Sequence, residues 1–573
     1  MVKYNDIRKH FFAGILSPYL LIGLMLIPIT FFANWGPIDD WHMLEYLINH
    51  VSRMELIDSL LTVGRFYPLY WSEWEILSKV DISPYLFYLL NFLEAFIGCS
   101  VLYYIAEKFS NKRTGVLLIV LLILSPAFTE SYYRLGVPDK NSFFLFAVGL
   151  YFIINYLFSG KSSKMNMLNL LIGAVAINLA LYFKEPGFIM ISLFSISFVY
   201  LLKKYDKINY INNKPRALAI LIIFLASSFV FLLLYVLSIH KIDYLYSLNT
   251  NPDFFSRLSV SIVVSIGYLL LDPLIIFLGP ILLFIRIKNR KELGSKLSDA
   301  DRFKLFFADS ALLAALFYAL FYILTGTIYY RYLLPAYAFI IPAYAIYINI
   351  LFIKSRENNL PLKSLSHKLR NVIMIILVFL LLNSITTGIN LIMVYKYVPY
   401  NTDEFLETAV PILKNDLSGS YENRTINLFL IGVNRGSGVE YYYSIGTFLN
   451  IRGIDTSRFD IKSMDPIDSE HLFNGGSKDL KYTAYQSTNI QIPVSGDYLI
   501  VIPFIIYNEN DLIRSIEEKH NVSLEQLYKS KNTYYFQIPN GIILGKYFNT
   551  KISIRNSEPP LFTNVGYSLY RVK

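Results

Sequence analysis

The stretch from residue 34 to 74 reads NWGPIDDWHMLEYLINHVSRMELIDSLLTVGRFYPLYWSEW and lies between the first and second apolar runs of the chain. Two adjacent carboxylates, Asp39 and Asp40, follow the first apolar run closely, and Arg65 comes after an amphipathic segment. Carboxylates at a membrane face cost free energy and are kept mainly where they serve a function. The sequence therefore predicts that this first polar segment carries functional side chains.

The composition is typical of a polytopic membrane protein. The chain has 573 residues, of which 54% are hydrophobic, and its mean hydropathy is +0.44. Apolar runs long enough to cross a bilayer predict about eleven transmembrane helices. They lie near residues 12–33, 84–106, 114–128, 141–159, 167–183, 187–202, 217–238, 260–285, 306–325, 333–352 and 371–395. The single cysteine, Cys99, excludes a disulfide within one chain.

The distribution of Lys and Arg predicts the orientation in the membrane. These residues are concentrated at the N-terminus and in the loops EKFSNKR, GKSSK, KKYDKINYINNKPR, RIKNRKELGSKLSDADRFK and KSRENNLPLKSLSHKLR. Because cytoplasmic loops carry the excess of basic residues, the N-terminus is predicted inside and the first polar segment outside. The net charge of +10 is then explained by contact with anionic lipid, and nucleic acid is not a predicted partner.

The pattern changes after residue 397. Short β-rich runs (TINLFLIGV, YLIVIPFII, TYYFQI and SLYRV) alternate with the helical patterns DEFLETAVPILKN and ENDLIRSIEEKHN. We therefore predict a transmembrane catalytic domain over residues 1–397, with its first outer loop at 34–83. An extracytoplasmic α/β or α+β domain is predicted over 398–573.

Other predicted outer loops also contain charged residues. These residues are Glu130, Arg134 and Asp139 in TESYYRLGVPDKN, Lys184 and Glu185 in YFKEPG, and Tyr330 and Arg331 in GTIYYRYLLPAYA. A carboxylate within reach of a hydroxyl can act as general base, and basic groups at the lipid boundary suit a lipid phosphate. Together they predict transfer of a sugar from a polyprenyl-phosphate carrier to a hydroxyl acceptor.

Each candidate also has a purely structural interpretation. Asp39 and Asp40 are suited to start a helix, as Asp139 is before the fourth apolar run. Lys184 and Arg331 can place their charges at the interface while their stems stay in the membrane. Glu130 and Arg134 can pair locally. Trp71 and Trp74 are predicted to be interfacial anchors rather than a platform for sugar binding.

The acidic pair Asp39-Asp40, with an acidic residue in the second outer loop, resembles the GT-C superfamily of integral-membrane glycosyltransferases. That superfamily includes protein O-mannosyltransferases and aminoarabinose transferases of lipid A. The pattern of Asp39-Asp40 followed by Gly64-Arg65 also resembles bacterial O-antigen glucosyltransferases. The resemblance covers residues 10–395, whereas the C-terminal region matches no family that we recognise.

The resemblance implies specific roles. Asp39 is the expected general base, with Asp40 as the alternative, and the expected donor is of the undecaprenyl-phosphate glucose type. Lys184 and Arg331 are expected to bind the donor phosphate, and we predict Tyr330 and Arg65 beside them. The residues predicted to orient the acceptor or assist a metal are Asp139, Glu130, Arg134 and Glu185. If a divalent cation such as Mg²⁺ or Mn²⁺ is used, Asp40 and Asp139 are its predicted ligands, since metal dependence differs among family members.

Three other functions share some of these features. A flippase or transporter of lipid-linked sugars would favour inverted repeats and charges at mid-depth, whereas the charges here cluster at one face. A polysaccharide polymerase or ligase with a lipid diphosphate donor would use similar chemistry. A receptor that binds through its C-terminal domain would not need so many spans. The glycosyltransferase remains the preferred interpretation, on the outer face of a bacterial plasma membrane.

Overall fold

The computed structural model describes most of the chain. The described residues are 17–37, 40–62, 65–158, 164–239, 254–290, 293, 297–325, 329–354, 367–418, 425–431, 438–455, 458–466, 481–485, 492–503, 509–531, 534–536, 562–564 and 566–573. Asp39 and Gly64, which the sequence analysis singled out, lie outside them.

The first part of the chain is helical. Its helices are α1 Pro18–Leu26, α2 Asp40–Ile48, α3 Arg53–Thr62, α4 Ser72–Ser78, α5 Pro84–Phe109, α6 Lys112–Ile123, α7 Pro126–Tyr132, α8 Asp139–Phe158, α9 Lys164–Leu181, α10 Gly187–Tyr205, α11 Lys207–Ser238, α12 Phe254–Leu271, α13 Gly279–Lys288, α14 Asp299–Leu324, α15 Leu334–Tyr347 and α16 His367–Ser418. Short 3₁₀ segments at Ile27–Thr30 and Tyr330–Leu333, and π-helical segments at Leu274–Leu278 and Ile348–Lys354, adjoin them.

Local sequence explains where several of these helices begin. α1, α5 and α7 each start with a proline, whose missing amide hydrogen is not needed in the first turn. The side chains of Ser17 and Ser125 accept hydrogen bonds from the amides of Leu20 and Phe128 and so cap α1 and α7.

Eight described helices are long and apolar enough to cross a membrane, and the number rises to ten if each of two bent pairs is one span. One pair, α6 and α7, is bent by 62°, and the other, formed by residues 264–271 and 274–288, is bent by 103°. α1, with the turn after it, is a shorter apolar helix. The predicted helical membrane fold with a C-terminal sheet domain is confirmed, while the count of eleven spans stays a prediction.

Small residues allow close helix approach in this bundle. A Cβ at Gly149 in α8 would lie 3.2 Å from the carbonyl oxygen of Gly173 in α9. In α16, a Cβ at Gly388 would lie only 2.1 Å from the carbonyl oxygen of Leu124, at the bend between α6 and α7. Because no side chain fits there, α16 packs directly against the backbone of that bend.

The C-terminal region forms a mixed sheet with two helices. Its elements are β1 Ile426–Ile431, α17 Gly438–Ile451, β2 Phe459–Pro466, β3 Lys481–Tyr485, β4 Tyr498–Val501, α18 Glu509–His520, β5 Leu524–Lys529, β6 Tyr534–Phe536, β7 Phe562–Asn564 and β8 Ser568–Val572. The six-stranded sheet has the order β3-β2-β1-β4-β8-β5. The first four strands in this order are parallel, and β8 is antiparallel to both of its neighbours.

The four predicted strands are present, but they do not all belong to the same sheet. TINLFLIGV, YLIVIPFII and SLYRV contain β1, β4 and β8 of the large sheet, whereas TYYFQI contains β6, which pairs only with β7. The pattern ENDLIRSIEEKHN contains α18. The pattern DEFLETAVPILKN is the end of α16, which runs without interruption from the last apolar run past residue 398.

The first polar segment packs on both parts of the molecule. Trp41 and Leu44 of α2 belong to the hydrophobic core that α16 shares with the sheet and α17. Trp71 and Trp74 belong to the core of the helical bundle, where they are 7% and 1% exposed. The prediction that these two tryptophans are interfacial anchors was wrong, since a stretch that reads as a surface loop is folded into the protein.

Candidate active site

Asp40 holds the first polar segment against the second predicted outer loop. Its carboxylate accepts hydrogen bonds from the backbone amide of Gly36 (3.0 Å) and from those of Leu135 (3.2 Å) and Gly136 (3.1 Å). The side chain is buried at the first residue of α2. Three amide donors satisfy a buried carboxylate well, so Asp40 fixes the start of α2 against residues 135 and 136.

Asp139 lies at the centre of the charged cluster. It is fully buried at the first turn of α8. The Lys184 Nζ lies 3.2 Å from its Oδ1, and the Arg331 Nε lies 3.8 Å from its Oδ2. Three stretches that are distant in sequence therefore place two cations around one carboxylate.

Glu130 connects Arg331 to the second predicted loop. Its Oε2 accepts a hydrogen bond from the backbone amide of Arg331 (2.9 Å), and its Oε1 lies 3.5 Å from the guanidinium of the same residue. The Arg134 guanidinium is 3.1 Å from the same Oε1, so the expected local pair of Glu130 and Arg134 is present. Glu130 therefore holds the turn that starts α15 and sets the direction of the Arg331 side chain.

Glu185 connects the turn between α9 and α10 to the first polar segment. Its Oε1 lies 3.3 Å from the Arg65 Nε and accepts a hydrogen bond from the backbone amide of Phe66 (3.2 Å). The Arg65 guanidinium also packs over the ring of Tyr67, 4.9 Å from its centroid. Arg65 is thus directed to the same end of the bundle as Lys184.

The environment of Lys184 lowers the pKa of its amine. Burial lowers this pKa from its usual value to about 8, while the nearby Asp139 carboxylate raises it. The amine also lies 3.9 Å from the centre of the Tyr332 ring, and the Arg331 guanidinium lies 5.6 Å from the same centre. At pH 7 the amine is therefore charged in most molecules, and a modest rise in pH removes that charge.

The remaining predicted donor-phosphate residue, Tyr330, begins the same 3₁₀ turn as Arg331 and is half-buried. Arg65, Glu130, Arg134, Asp139, Lys184, Glu185 and Arg331 thus meet at one end of the bundle, and Asp40 lies beside them on residues 135 and 136. The predicted base, Asp39, lies outside the described residues but adjoins Asp40 in the chain.

The described residues do not suit a metal ion at this site. Among them there is no group of three or more His, Cys, Asp or Glu side chains that could hold one. Asp139, one of the two predicted ligands, already faces the cations of Lys184 and Arg331. Asp40, the other, is occupied by backbone amides. We therefore derive no step through a metal.

Two buried ionisable residues near the site were missed from the sequence. Asp272, at the break before the π-helical segment, accepts a hydrogen bond from the Tyr337 hydroxyl (2.8 Å). Lys396 of α16 donates to the carbonyl of Ile29 (2.6 Å) and lies 3.5 Å from the centre of the Tyr88 ring. Both interrupt apolar runs, in LLLDPLIIF and IMVYKYV, and an isolated charge in such a run is the signal that would have found them.

No known protein-family model and no curated protein matches this sequence. Among solved structures, it is similar to ArnT from Cupriavidus metallidurans bound to undecaprenyl phosphate, with a TM-score of 0.43, 9% identity, and coverage of 97% of this chain and 98% of ArnT. It is also similar to the archaeal oligosaccharyltransferase AglB from Archaeoglobus fulgidus, solved with an inhibitory peptide and a dolichol-phosphate. There the TM-score is 0.38, with 13% identity and 78% of this chain covered, and the aligned part spans 64% of AglB, less than two thirds of its length.

ArnT and AglB are both GT-C membrane glycosyltransferases, the group that the sequence resembles. Both TM-scores lie below 0.5, so the chemistry of this chain has to be argued from its own side chains.

Proposed function

We propose that this protein is a membrane glycosyltransferase that moves a sugar from a polyprenyl-phosphate donor to a hydroxyl acceptor. The observation that carries the proposal is the convergence of Lys184 and Arg331 on buried Asp139 at the end of the bundle. Two cations held by a buried carboxylate at a membrane boundary are suited to a lipid-linked phosphate.

In the proposed reaction, the Asp39 carboxylate takes the proton of the acceptor hydroxyl. The acceptor oxygen forms a bond to the anomeric carbon while the bond from that carbon to the phosphate oxygen breaks. The polyprenyl phosphate leaves with the bonding electrons, and Lys184 and Arg331 stabilise its growing negative charge. A single displacement of this kind inverts the anomeric configuration.

Arg65 and Tyr330 are proposed as further contacts of the donor phosphate. Arg65 is directed by Glu185 toward the end of the bundle where Lys184 lies, and Tyr330 adjoins Arg331 in the chain. Asp139, Glu130, Arg134 and Glu185 then act by positioning these groups. Asp40, the next residue in the chain after the proposed base, acts as a positioning residue through its contacts with the amides of residues 135 and 136.

The cellular setting of the reaction is also a proposal. The basic loops favour an N-terminus in the cytoplasm of a bacterium, which puts the site on the outer face of the plasma membrane. A hexose such as glucose and a surface glycan or lipid acceptor fit this setting. The sheet domain, whose core includes Trp41 and Leu44, lies close enough to the first polar segment to help select the acceptor.

The test is sugar release by the purified protein from a panel of synthetic polyprenyl-phosphate sugars. Wild type should release one sugar, and Asp39→Asn should lose release while remaining folded. The matched control is Asp58→Asn, which changes another carboxylate of the same segment in α3. Parallel reactions with EDTA test the metal.

Three outcomes would count against the proposal. Sugar release by Asp39→Asn at the wild-type rate would remove Asp39 from the chemistry. Release only from diphosphate donors would favour the polymerase or ligase, and release from none would favour a transporter.

A further inference from the structure

A charged cavity lies at the end of the bundle opposite the candidate active site. It has a volume of about 510 Å³ and lies between the junction of α10 with α11, the end of α13 and the start of α14. Since α10 has 19 residues between its start near Lys184 and its end at Tyr205, the two sites are roughly 28 Å apart. The proposed transfer reaction uses none of the residues of this cavity.

Two of the arginines in the cavity are held by buried carboxylates. The Arg302 Nε lies 2.9 Å from Asp206 Oδ2, and the Arg286 Nε lies 3.3 Å from Asp309 Oδ2. Asp206 also caps α11 by accepting a hydrogen bond from the amide of Asn209. These ion pairs hold the cavity wall in place and neutralise the charges of Arg286 and Arg302. The positive potential of the cavity therefore comes from its other cations.

The other two cations are Lys207 and Arg290. Within the part of the chain that the structure describes, neither side chain has a carboxylate oxygen within 4.0 Å. The Arg290 guanidinium lies 3.6 Å from the centre of the Tyr205 ring, which fixes its position without neutralising its charge. Lys207 is the first residue of α11, where the helix dipole adds further positive potential.

Apolar side chains complete the cavity. Leu293, Leu305 and Phe306 are buried in its wall, and Ile208 is exposed at its edge. The cavity lies at the end of α10 and at the starts of α11 and α14, three helices that are apolar and long enough to cross a membrane. The ends of such helices are where lipid headgroups are expected. A fixed cationic group beside an apolar wall at this depth suits an amphiphile with a phosphate headgroup better than a free anion.

We propose that this cavity binds the phosphodiester headgroup of an anionic membrane lipid. Lys207 and Arg290 contact the phosphate, and an acyl chain lies along Ile208 and Phe306. The site is distinct from the proposed donor site because it occupies the other end of the same helices.

The experiment measures lipid binding to the purified full-length protein by native mass spectrometry. The probes are phosphatidylglycerol, phosphatidylcholine and inorganic phosphate. Wild type should retain phosphatidylglycerol more tightly than phosphatidylcholine. The double variant Lys207→Gln/Arg290→Gln should bind phosphatidylglycerol roughly 25-fold more weakly, because each cation near the headgroup contributes about fivefold. Both side chains are exposed, so the variant should fold, and Arg286 and Arg302 keep their partners.

Arg113→Gln is the matched control, since Arg113 is an exposed arginine in the first turn of α6 and does not line the cavity. It should bind phosphatidylglycerol as wild type does. Equal weakening in the control, unchanged binding in the double variant, or no preference for phosphatidylglycerol would each overturn the proposal. Binding of inorganic phosphate as tight as that of the lipid would show a site for free phosphate instead.

Discussion

At the scale of single residues, the candidate site depends on charges that burial holds in place. Lys184 is 2% exposed and Asp139 is fully buried, so neither charge is well solvated without the other. A phosphate that approaches Lys184 and Arg331 meets cations that are already oriented. Substrate binding then requires little reorganisation of these groups.

The first prediction concerns the pH dependence of transfer. Burial lowers the pKa of Lys184 to about 8, so the amine loses its proton as the pH rises through this value. If the charged amine binds the donor phosphate, kcat/KM should fall about tenfold per pH unit above pH 8. The measurement is a pH profile of sugar release for wild type and Lys184→Arg. Because arginine stays protonated, the alkaline fall should be absent or shifted upward in the variant, and an unchanged fall would assign it to another group.

The second prediction concerns Gly36. A Cβ at this position would lie 2.9 Å from Oδ2 of Asp40, so Gly36→Ala must displace that carboxylate or the turn itself. Since Asp40 is the chain neighbour of the proposed base Asp39, we expect a drop in kcat of about 10²-fold at most, with little change in folding. The control is Gly23→Ala in α1, where the added Cβ makes an ordinary contact of 3.5 Å with Phe96. Wild-type kcat in Gly36→Ala would remove Asp40 from the positioning of the base.

The sequence predicted which residues meet at the site, but it did not predict which side chains from different loops pair with each other. Alternation of apolar runs with short loops predicted that the loops of Glu130, Asp139, Lys184 and Arg331 lie at one end of the bundle. The pairing of Lys184 with Asp139 was not predictable, because it depends on the tertiary packing of α8 against α9.

At the scale of secondary structure elements, the bends within helices place polar residues inside the bundle. Pro126 follows Ser125 at the break between α6 and α7, and Pro273 follows Asp272 at the break before α13. Each break places a buried polar residue at a helix end, where free backbone groups are available. Hydropathy alone finds the apolar runs but not these changes of direction.

The end of α16 also could not be predicted from hydropathy. The helix continues from residue 367 to 418 with Pro399 and Pro411 inside it. The composition changes near residue 397, whereas the helical backbone hydrogen bonding continues beyond that point. For this reason the predicted domain boundary at 397–398 falls within a continuous helix, and the boundary itself stays a prediction.

The third prediction tests the contact between α16 and the bend of α6 and α7. Gly388→Ala would place a Cβ 2.1 Å from the carbonyl oxygen of Leu124, so the two backbones must separate. We expect the free energy of unfolding to fall by roughly 1–3 kcal/mol, measured by thermal unfolding in detergent. Ile389→Ala is the control, since Ile389 is the next residue of the helix and is exposed. Equal stability of the two variants would mean that the helices do not meet as closely as the structure has them.

At the scale of the whole molecule, the first polar segment joins the helical bundle to the sheet domain. Asn34 donates a hydrogen bond to the Asp403 carboxylate of α16 (3.0 Å), and the same carboxylate pairs with Arg452. Trp41 is 1% exposed and stacks on Tyr443 of α17 at 5.9 Å. The described residues of the first polar segment are therefore held at Asp40 by the amides of residues 135 and 136, and at Asn34 and Trp41 by α16 and α17.

The last prediction follows from this double attachment. Trp41→Ala removes a large buried side chain from the core that α2 shares with α16 and α17, and should cost about 3–5 kcal/mol of unfolding free energy. Because the same helix begins at Asp40, the substitution should also lower kcat for sugar release. Leu417→Ala is the matched control, since Leu417 belongs to the same core but lies at the far end of α16. It should lose stability, by about 2–5 kcal/mol, and keep its kcat.

The two variants together separate general destabilisation from positioning of the active site. Thermal unfolding in detergent gives the stability of each variant, and sugar release is measured well below both unfolding transitions. A loss of kcat in Trp41→Ala alone would mean that the sheet domain acts on catalysis through the first polar segment. Equal loss in both variants would mean that the sheet domain supports activity only by keeping the protein folded. Unchanged kcat in both variants would mean that the sheet domain does not act on catalysis through the first polar segment.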